Sequence, residues 1–200
     1  MRLFITRHGQ TTWNELNKVC GRTDAPLTAL GRQQAAALAD KTKELGIDLI
    51  ISSPLQRALG TAKAVQGVCD VPIITDERLI EQDYGIYEGV DRKDAGFQSN
   101  KRMFTYRYPQ GESMMQLAAR VYGLLEDVKV KYADKTVLLV CHNGICRVIH
   151  SYFVDMTNEE FATFSMENAA LAQYELSKSA PNGLVRCCQF IWQINPHFCG

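Results

Sequence analysis

Two histidines and three arginines stand in segments whose residue types could handle a phosphate group. Arg7 and His8 are adjacent, Arg57 lies in a second segment, and His142 and Arg147 lie in a third. Planar guanidinium groups match the oxygens of a phosphate. Histidine is a nitrogen nucleophile near neutral pH, because its unperturbed pKa is about 6.5. A lone histidine or arginine is more often packed or solvated, so the prediction depends on the grouping.

The chemistry that this set could perform is transfer of a phosphoryl group to a histidine. Such transfer needs mainly positioning and charge neutralisation, and a histidine beside a clamped dianion can accept the group itself. The leaving oxygen then needs a proton. Glu81 is the best candidate for the donor, because nearby negative charge raises the pKa of a carboxyl group. Asp83 and Glu88 are rivals, and for both we favour ordinary solvation in a loop.

These segments meet only if secondary-structure elements bring them together. The predicted strands are Arg2–Thr6, Asp48–Ser52, Val71–Thr75, Lys135–Cys141 and Ala169–Leu176. Helices are predicted over Thr28–Leu45, from Ser53 to about Val65, after Ser113, over Gly144–Val154 and after Thr157. This alternation predicts an α/β fold, a three-layer α/β/α sandwich with a mainly parallel central sheet. Ligands bind at the carboxyl ends of such strands, where the three segments lie.

Capping signals set several of the predicted helix starts. Ser53 followed by Pro54 and Gln56 is typical of a capped helix start with proline at the first helical position. Ser113 followed by Gln116 is a second capping box.

Residues 76 to 111 are predicted to be irregular, with a short helix or two, and to cover the substrate.

Length and composition indicate one soluble domain. The 200 residues carry a formal net charge of zero, without the basic excess of a nucleic-acid or membrane-surface protein. The first apolar run is too short for a signal peptide, and no stretch is long enough to cross a bilayer, which favours the cytoplasm. The seven cysteines form no CxxC pair and are interpreted as reduced apolar residues. His150 and His197 are interpreted as packed or solvated.

The motifs closely resemble those of the histidine phosphatase superfamily, also called phosphoglycerate mutase-like. The matching blocks are Arg7-His8-Gly9-Gln10-Thr11 with Trp13-Asn14, Ser52-Ser53-Pro54-Leu55 with Arg57-Ala58, Glu81 with Gly85 and Glu88-Gly89, Gly111-Glu112-Ser113, and His142 with Gly144. The first block alone is a weak signal, but the ordered set is highly specific. The resemblance covers a catalytic domain over residues 1–176, and the tail 177–200 matches nothing in it.

The resemblance implies a role for each matching position. By position, His8 is similar to the phosphate-accepting nucleophile and Glu81 to the proton donor. Arg7, Arg57 and His142 are similar to the phosphate clamp. Further phosphate or substrate contacts are implied for Gln10, Thr11, Asn14 and the backbone of Asn143. Asn143 stands where the family often has glycine, and asparagine tolerates left-handed backbone. The family uses no metal for this chemistry, and we expect no cofactor.

The family contains hydrolases and mutases, and the sequence favours hydrolysis. The stretch from Glu81 to Gly111 lacks the long insertion of the mutases, and Gln82 replaces the arginine with which they grip a substrate carboxylate. A mutase, or less plausibly a non-catalytic phosphate-binding protein, remains the alternative. We expect a small phosphorylated metabolite as substrate, without choosing among sugar phosphates, phosphoserine, nucleoside monophosphates and phosphorylated ribazole.

Two regions stay open at this point. Residues Asp91 to Arg107 would cover the site, and their basic and aromatic side chains could select an acidic or aromatic substrate, although a solvated loop is as plausible. The named side chains are Lys93, Lys101, Arg102, Phe104, Tyr106 and Arg107. Within the tail, Leu184–Ile194 could add an edge strand or be loosely attached. The sequence does not indicate an oligomeric state.

Overall fold

A five-stranded sheet forms the centre of the computed structural model, which describes residues 1–176. The strands are β1 (Arg2–Arg7), β2 (Leu49–Ser52), β3 (Ile73–Thr75), β4 (Thr136–Cys141) and β5 (Leu171–Glu175). Their order across the sheet is β3-β2-β4-β1-β5, and β5 is antiparallel to β1 while the other neighbours are parallel. The predicted three-layer α/β sandwich with a mainly parallel sheet is therefore confirmed.

Seven α-helices surround this sheet in the described residues. They are α1 (Thr12–Glu15), α2 (Ala29–Thr42), α3 (Gln56–Cys69), α4 (Ala95–Lys101), α5 (Met114–Lys131), α6 (Asn143–Phe153) and α7 (Asn158–Thr163). Two short 3₁₀ turns lie over Glu77–Leu79 and Gly85–Tyr87. Within residues 1–176, no helix combines the length and the apolar character that crossing a membrane requires.

Alternation along the strands sends side chains to two separate cores. In β1, Leu3 and Ile5 belong to the core that α5 and α6 cover, whereas Phe4 belongs to the core that α2 and α3 cover. All three are at most 3% exposed. This is the period of two that a strand buried on both faces must show. On α5, one apolar face is buried, and Ala118 next to it is half-buried; the buried residues are Met114, Leu117, Val121, Leu124, Leu125 and Val128.

Strand register places the two histidines side by side. Arg7 is the partner of Cys141 in the parallel β1–β4 pair, so the next residues, His8 and His142, leave the same edge of the sheet. The amide of His8 donates to the carbonyl of Cys141 at 3.0 Å, which extends the pairing by one step. Ser53 leaves the neighbouring β2 in the same way, since its amide donates to Val140. The predicted meeting of strand ends is confirmed.

The predicted start of α3 at Ser53 is wrong. The helix begins at Gln56 behind Leu55, whose side chain provides no cap. The amide of Gln56 instead donates to the carboxylate of Asp24 at 2.7 Å, so a distant residue caps this helix. The Ser53 hydroxyl lies 2.8 Å from Nε2 of His142 and accepts from the amide of Leu55 at 3.4 Å, ahead of the helix. The helix also runs past Val65 to Cys69.

Other helix boundaries agree with the local signals. The capping boxes at Ser113 and Thr157 are confirmed, each with reciprocal bonds to the residue three positions on. The predicted helix Thr28–Leu45 ends earlier, at Thr42, and a turn leads to Gly46, whose φ of 63° suits glycine. The possible strand Leu184–Ile194 lies outside the described residues.

Candidate active site

His8 presents one ring nitrogen as a free base. Its Nδ1 lies 2.7 Å from the carbonyl oxygen of Gly9, which can only accept, so Nδ1 carries the proton. The lone pair is then on Nε2, and the residue lines a cleft at the sheet edge. Burial lowers the pKa of His8 well below its ordinary value, and the positive charges of Arg57 and Arg7 lower it further. The imidazole is therefore neutral near pH 7, as a nucleophile must be.

His142 stands edge-on to His8 and is held from two sides. The ring centroids of the two histidines are 5.1 Å apart. Arg57 donates from Nε to Nδ1 of His142 at 3.2 Å, so Nε2 of His142 carries the proton and donates to the Ser53 hydroxyl at 2.8 Å. Burial, followed by the charge of Arg57, lowers the pKa of His142 well below its ordinary value. Both nitrogens of His142 are thus engaged with protein groups.

Arg57 is completely packed behind the histidines, with 1% of its surface exposed. Its two terminal nitrogens donate to the carbonyls of Thr23 and Gly21, each at 2.7 Å. The loop that carries these carbonyls is itself held by Glu88, whose carboxylate accepts from the amides of Gly21, Arg22 and Thr23. The interpretation of Glu88 as a solvated loop residue is therefore wrong. It holds the loop that holds Arg57.

Arg7 keeps one donor without a partner. Its Nη1 donates to the carbonyl of Met166 at 2.8 Å, but its Nε is buried and has no hydrogen-bond partner in residues 1–176. Burial and then the charge of Arg92 lower the pKa of Arg7 to about 10. An unpaired buried donor costs about 1–3 kcal/mol, so a bound anion would be favoured here. The predicted clamp residue thus lines the cleft with a donor to spare.

Glu81 is fixed at the cleft by backbone amides, with 4% of its surface exposed. Oε2 accepts from the amide of Gly144 at 3.0 Å, and Oε1 accepts from the amide of Gln82 at 2.9 Å. A Cβ on Gly144 would stand 2.5 Å from Oε1, so only glycine allows this approach. The rival Asp83 is half-buried and caps its own turn by accepting from the amide of Gly85.

The other predicted contact residues divide into two groups. Asn14 and Asn143 line the cleft. The Asn14 side chain caps α1. The Asn143 side chain accepts from the amide of Met166 at 2.8 Å. Asn143 is the first residue of α6, and its backbone is not left-handed. Gln10 and Thr11 do not line the cleft.

Gln10 and Thr11 have side chains with structural partners. The Thr11 hydroxyl accepts from the amide of Asn14, and Gln10 accepts from the Thr28 hydroxyl. Both lie where the segment after β1 packs on α2 so closely that a Cβ on Gly9 would be 2.3 Å from the carbonyl oxygen of Gly31. Substrate contact by Gln10 and Thr11 stays a prediction.

The outer part of the cleft contains three charged residues, of which Arg92 is the one that the sequence did not single out. The cleft has a volume of about 180 Å³. Arg92 lines it together with Lys101 and Arg147, and we call these three residues the cationic wall. Arg92 lies within the segment predicted to cover the site, yet nothing in its spacing distinguishes it from exposed neighbours such as Lys93.

Aromatic side chains complete this outer part. Tyr84, Phe97 and Tyr108 line the cleft and contact each other, with ring centroids 5.2 to 5.9 Å apart. Of the candidates named from the covering segment, only Lys101 lines the cleft. Arg102 pairs with Glu159 at 2.6 Å on the exposed surface.

Three other expectations can be compared with the structure. Across residues 1–176, no group of three or more histidine, cysteine or acidic side chains could hold a metal ion. The four cysteines in that range are free, and Cys187, Cys188 and Cys199 lie outside it. His150 is buried on α6 with Nδ1 2.9 Å from the Tyr174 hydroxyl, so its interpretation as a packed residue is confirmed. His197 lies outside the described residues.

Comparison with known proteins gives one consistent family. A family model described as histidine phosphatase superfamily (branch 1) matches residues 3–186. The chain is 32% identical over 176 residues to the uncharacterized phosphatase PhoE of Bacillus subtilis, which covers 87% of this chain and 88% of that protein. It is 38% identical over 149 residues to the probable phosphoglycerate mutase GpmB of Escherichia coli, covering 71% and 69%.

A solved structure extends the similarity to three dimensions. The mycobacterial glucosyl-3-phosphoglycerate phosphatase, in complex with VO3, superimposes with a TM-score of 0.77 at 30% identity. The match covers 87% of this chain and 92% of that one.

Proposed function

The chain belongs to the histidine phosphatase superfamily, and from that premise we propose that it is a phosphatase that hydrolyses phosphomonoesters through a phosphohistidine on His8 without a metal ion. The proposal rests on the protonation state of the His8 ring. Its Nδ1 proton is bound to the Gly9 carbonyl, which leaves the Nε2 lone pair as the nucleophile. A neutral imidazole beside arginine charges suits attack on a phosphate dianion.

Glu81 supplies the proton in the proposed reaction. Nε2 of His8 forms a bond to phosphorus while the bond to the leaving oxygen breaks, and the carboxyl of Glu81 protonates that oxygen. The resulting carboxylate then takes a proton from water, which attacks the phosphohistidine and restores the enzyme. Two backbone amides hold Glu81 and fix the direction of its carboxyl group without adding a charge.

Arg7, Arg57 and His142 form the proposed phosphate clamp. Arg7 offers its unpartnered Nε from the cleft wall. Arg57 is held behind the histidines and does not line the cleft, and its Nη1 also lies 3.6 Å from Oδ1 of Asp24, so it would have to exchange partners to reach a phosphate. His142 would have to exchange its bond with Ser53 to reach a phosphate. The amides at the start of α6, including that of Asn143, add the positive end of a helix dipole.

Mutase activity is the second candidate, because the similarity to GpmB gives it a specific basis. Gln82 argues against it. The residue that replaces the mutase arginine is uncharged, 1% exposed and directed at the carbonyl of Glu112. A buried amide cannot neutralise a substrate carboxylate, so we favour hydrolysis. A small phosphorylated metabolite as substrate and a cytoplasmic location belong to the same proposal.

The test is release of inorganic phosphate in the presence of EDTA, combined with trapping of the intermediate. Rapid acid-free quenching after mixing with a ³²P-labelled monoester should give labelled protein whose label is acid-labile and maps to the peptide containing His8. Loss of phosphate release on chelation would contradict the metal-free mechanism. Interconversion of phosphoglycerates that depends on a bisphosphate primer, without phosphate release, would establish the mutase instead.

A further inference from the structure

The cationic wall lacks ion-pair partners. Arg92 precedes α4, Lys101 ends it, and Arg147 lies on α6, so three separate positions place positive charge at one cleft. Among residues 1–176, no carboxylate lies within ion-pair distance of any of the three. Glu81 is the one acidic side chain among the described residues that line the cleft.

Several donors on this side of the cleft have no acceptor in the described part of the chain. Arg92 donates only from Nε, to the carbonyl of Lys18 at 3.1 Å, which leaves both terminal nitrogens. Arg147 uses Nε and Nη2 on the carbonyl of Phe164 and leaves Nη1. The hydroxyl of Tyr108 is also buried and has no partner in residues 1–176, although the residue is only 3% exposed. Buried polar groups are normally satisfied, so the Tyr108 hydroxyl points to an absent acceptor, and the unpaired nitrogens of Arg92 and Arg147 remain available to it.

The three cations of the wall are close enough for their charges to repel one another. Burial lowers the pKa of Lys101 to about 8, and the charges of Arg147, Arg102 and Arg92 add to the effect. The carboxylate of Glu159 acts in the opposite direction but lies last among the causes. Like charges kept together without a counterion are unfavourable, and a bound anion would relieve the repulsion.

The scissile phosphate does not account for this surplus. A phosphomonoester dianion is already matched by Arg7 and Arg57 at the histidine end of the site. We propose that the substrate carries a second anionic group, a carboxylate or a second phosphate, which the cationic wall binds with the Tyr108 hydroxyl. This inference rests on the proposed function and narrows it, since it assigns the selection of acidic substrates to Arg92, Lys101 and Arg147.

Matched substrate pairs test the inference and separate the two anion chemistries. Glycerol 3-phosphate and 3-phosphoglycerate differ in a hydroxymethyl against a carboxylate, and fructose 6-phosphate and fructose 1,6-bisphosphate differ in a second phosphate. In at least one pair, kcat/KM for the acidic member should exceed that for its partner by about tenfold or more, mainly through KM. Equal values within both pairs would overturn the inference and leave the phosphatase assignment intact. Absence of phosphate release from all four and from 4-nitrophenyl phosphate would instead refute the proposed function.

Single variants connect the preference to the wall. Arg92→Gln and Lys101→Met should each reduce the acidic-to-neutral ratio of kcat/KM by about fivefold or more. The control is Lys93→Met, because Lys93 is exposed next to Arg92 and does not line the cleft. Its ratio should equal that of the wild type. Continued turnover of the neutral member reports that each variant is folded, and an unchanged ratio in both wall variants would overturn the assignment.

The pH dependence of the same ratio isolates Lys101. Below about pH 8 the ammonium is charged, and above it the charge is lost. The wild-type ratio should therefore fall as pH rises from 7 to 9, while effects on His8 and Glu81 cancel between paired substrates. Lys101→Arg keeps the charge and should keep the ratio at pH 9. A wild-type ratio that stays flat would remove Lys101 from the site.

Discussion

The two ends of the cleft differ in how completely their polar groups are paired. At the histidine end, which comprises Arg7, His8, Arg57, Glu81 and His142, most nitrogens and oxygens have a partner within the protein, and the buried Nε of Arg7 is an exception. At the cationic wall, the terminal nitrogens of Arg92 and the Nη1 of Arg147 have no partner in the described residues. The histidine end rests on adjacent strands of one sheet, whereas the wall combines a long covering segment with α6.

This difference in the pairing of polar groups indicates different roles for the two ends of the cleft. Chemistry on phosphorus requires groups held in one geometry, and dense hydrogen bonding around buried side chains provides it. Recognition of a second group requires donors that are still free when the substrate arrives. We therefore expect changes at the histidine end to affect acidic and neutral substrates alike, and changes at the wall to affect the choice between them.

Replacement of His8 should have the largest effect. His8→Ala removes the nucleophile, and we expect kcat for every phosphomonoester to fall by about 10⁴-fold or more. The fold should persist, because the cores on the two faces of the sheet do not include this residue. Steady-state kinetics and circular dichroism check both parts. Substantial turnover in a folded His8→Ala protein would exclude the phosphohistidine mechanism.

Glu81→Gln should have the second-largest effect on kcat, and the size of that effect should depend on the leaving group. Alkyl phosphates need a proton on the leaving oxygen, so kcat should fall by about 10²–10⁴-fold, whereas aryl phosphates such as 4-nitrophenyl phosphate should lose much less. Gly144→Ala provides the matched positioning variant, because its Cβ would displace the Glu81 carboxyl group without removing it. Gly144→Ala should also lose more kcat on alkyl than on aryl phosphates, but its loss should be smaller than that of Glu81→Gln. Equal losses on alkyl and aryl substrates would remove Glu81 from the acid role.

Acid should weaken the fold through the two buried histidines. His8 and His142 stay neutral in the folded chain because their pKa values are lowered, but they bind protons in the unfolded chain below about pH 6.5. The free energy of unfolding should therefore be unaffected by these groups above pH 6.5 and fall below it, by at most about 1.4 kcal/mol per pH unit for each histidine. Urea titrations from pH 7.5 to 5 measure this slope, which should be shallower in His8→Ala. Identical slopes in both proteins would show that His8 titrates normally.

Glu88→Gln should have the smallest effect, and that effect should be general. The change weakens the hold on the loop whose carbonyls orient Arg57, and we expect kcat/KM to fall about fivefold, which corresponds to about 1 kcal/mol. The loss should be the same for 3-phosphoglycerate and glycerol 3-phosphate. Glu44→Gln, at an exposed position, is the control. A loss confined to the acidic substrate would contradict the division between the two ends.

Much of the site could be predicted because its residues follow strand ends directly. His8, Ser53 and His142 each stand one position beyond a strand, and adjacent parallel strands bring such positions together without further information. The network behind them could not be predicted in this way. The Asp24 cap on α3 and the anchoring of the 21–23 loop by Glu88 join residues 32 and 67 positions apart, and no local spacing encodes these bonds.

The sequence by itself determined the fold class, the order of the strands and helices along the chain, and the residue types available at each strand end, because periodicity, capping and turn chemistry act over a few neighbouring residues. Only the tertiary structure decided which polar groups would be satisfied and which left free. Arg57 and His142 are 85 positions apart, and their pairing depends on strand register and helix packing. For the same reason, Arg92 and the exposed Lys93 are alike in sequence, although only one of them faces the cleft.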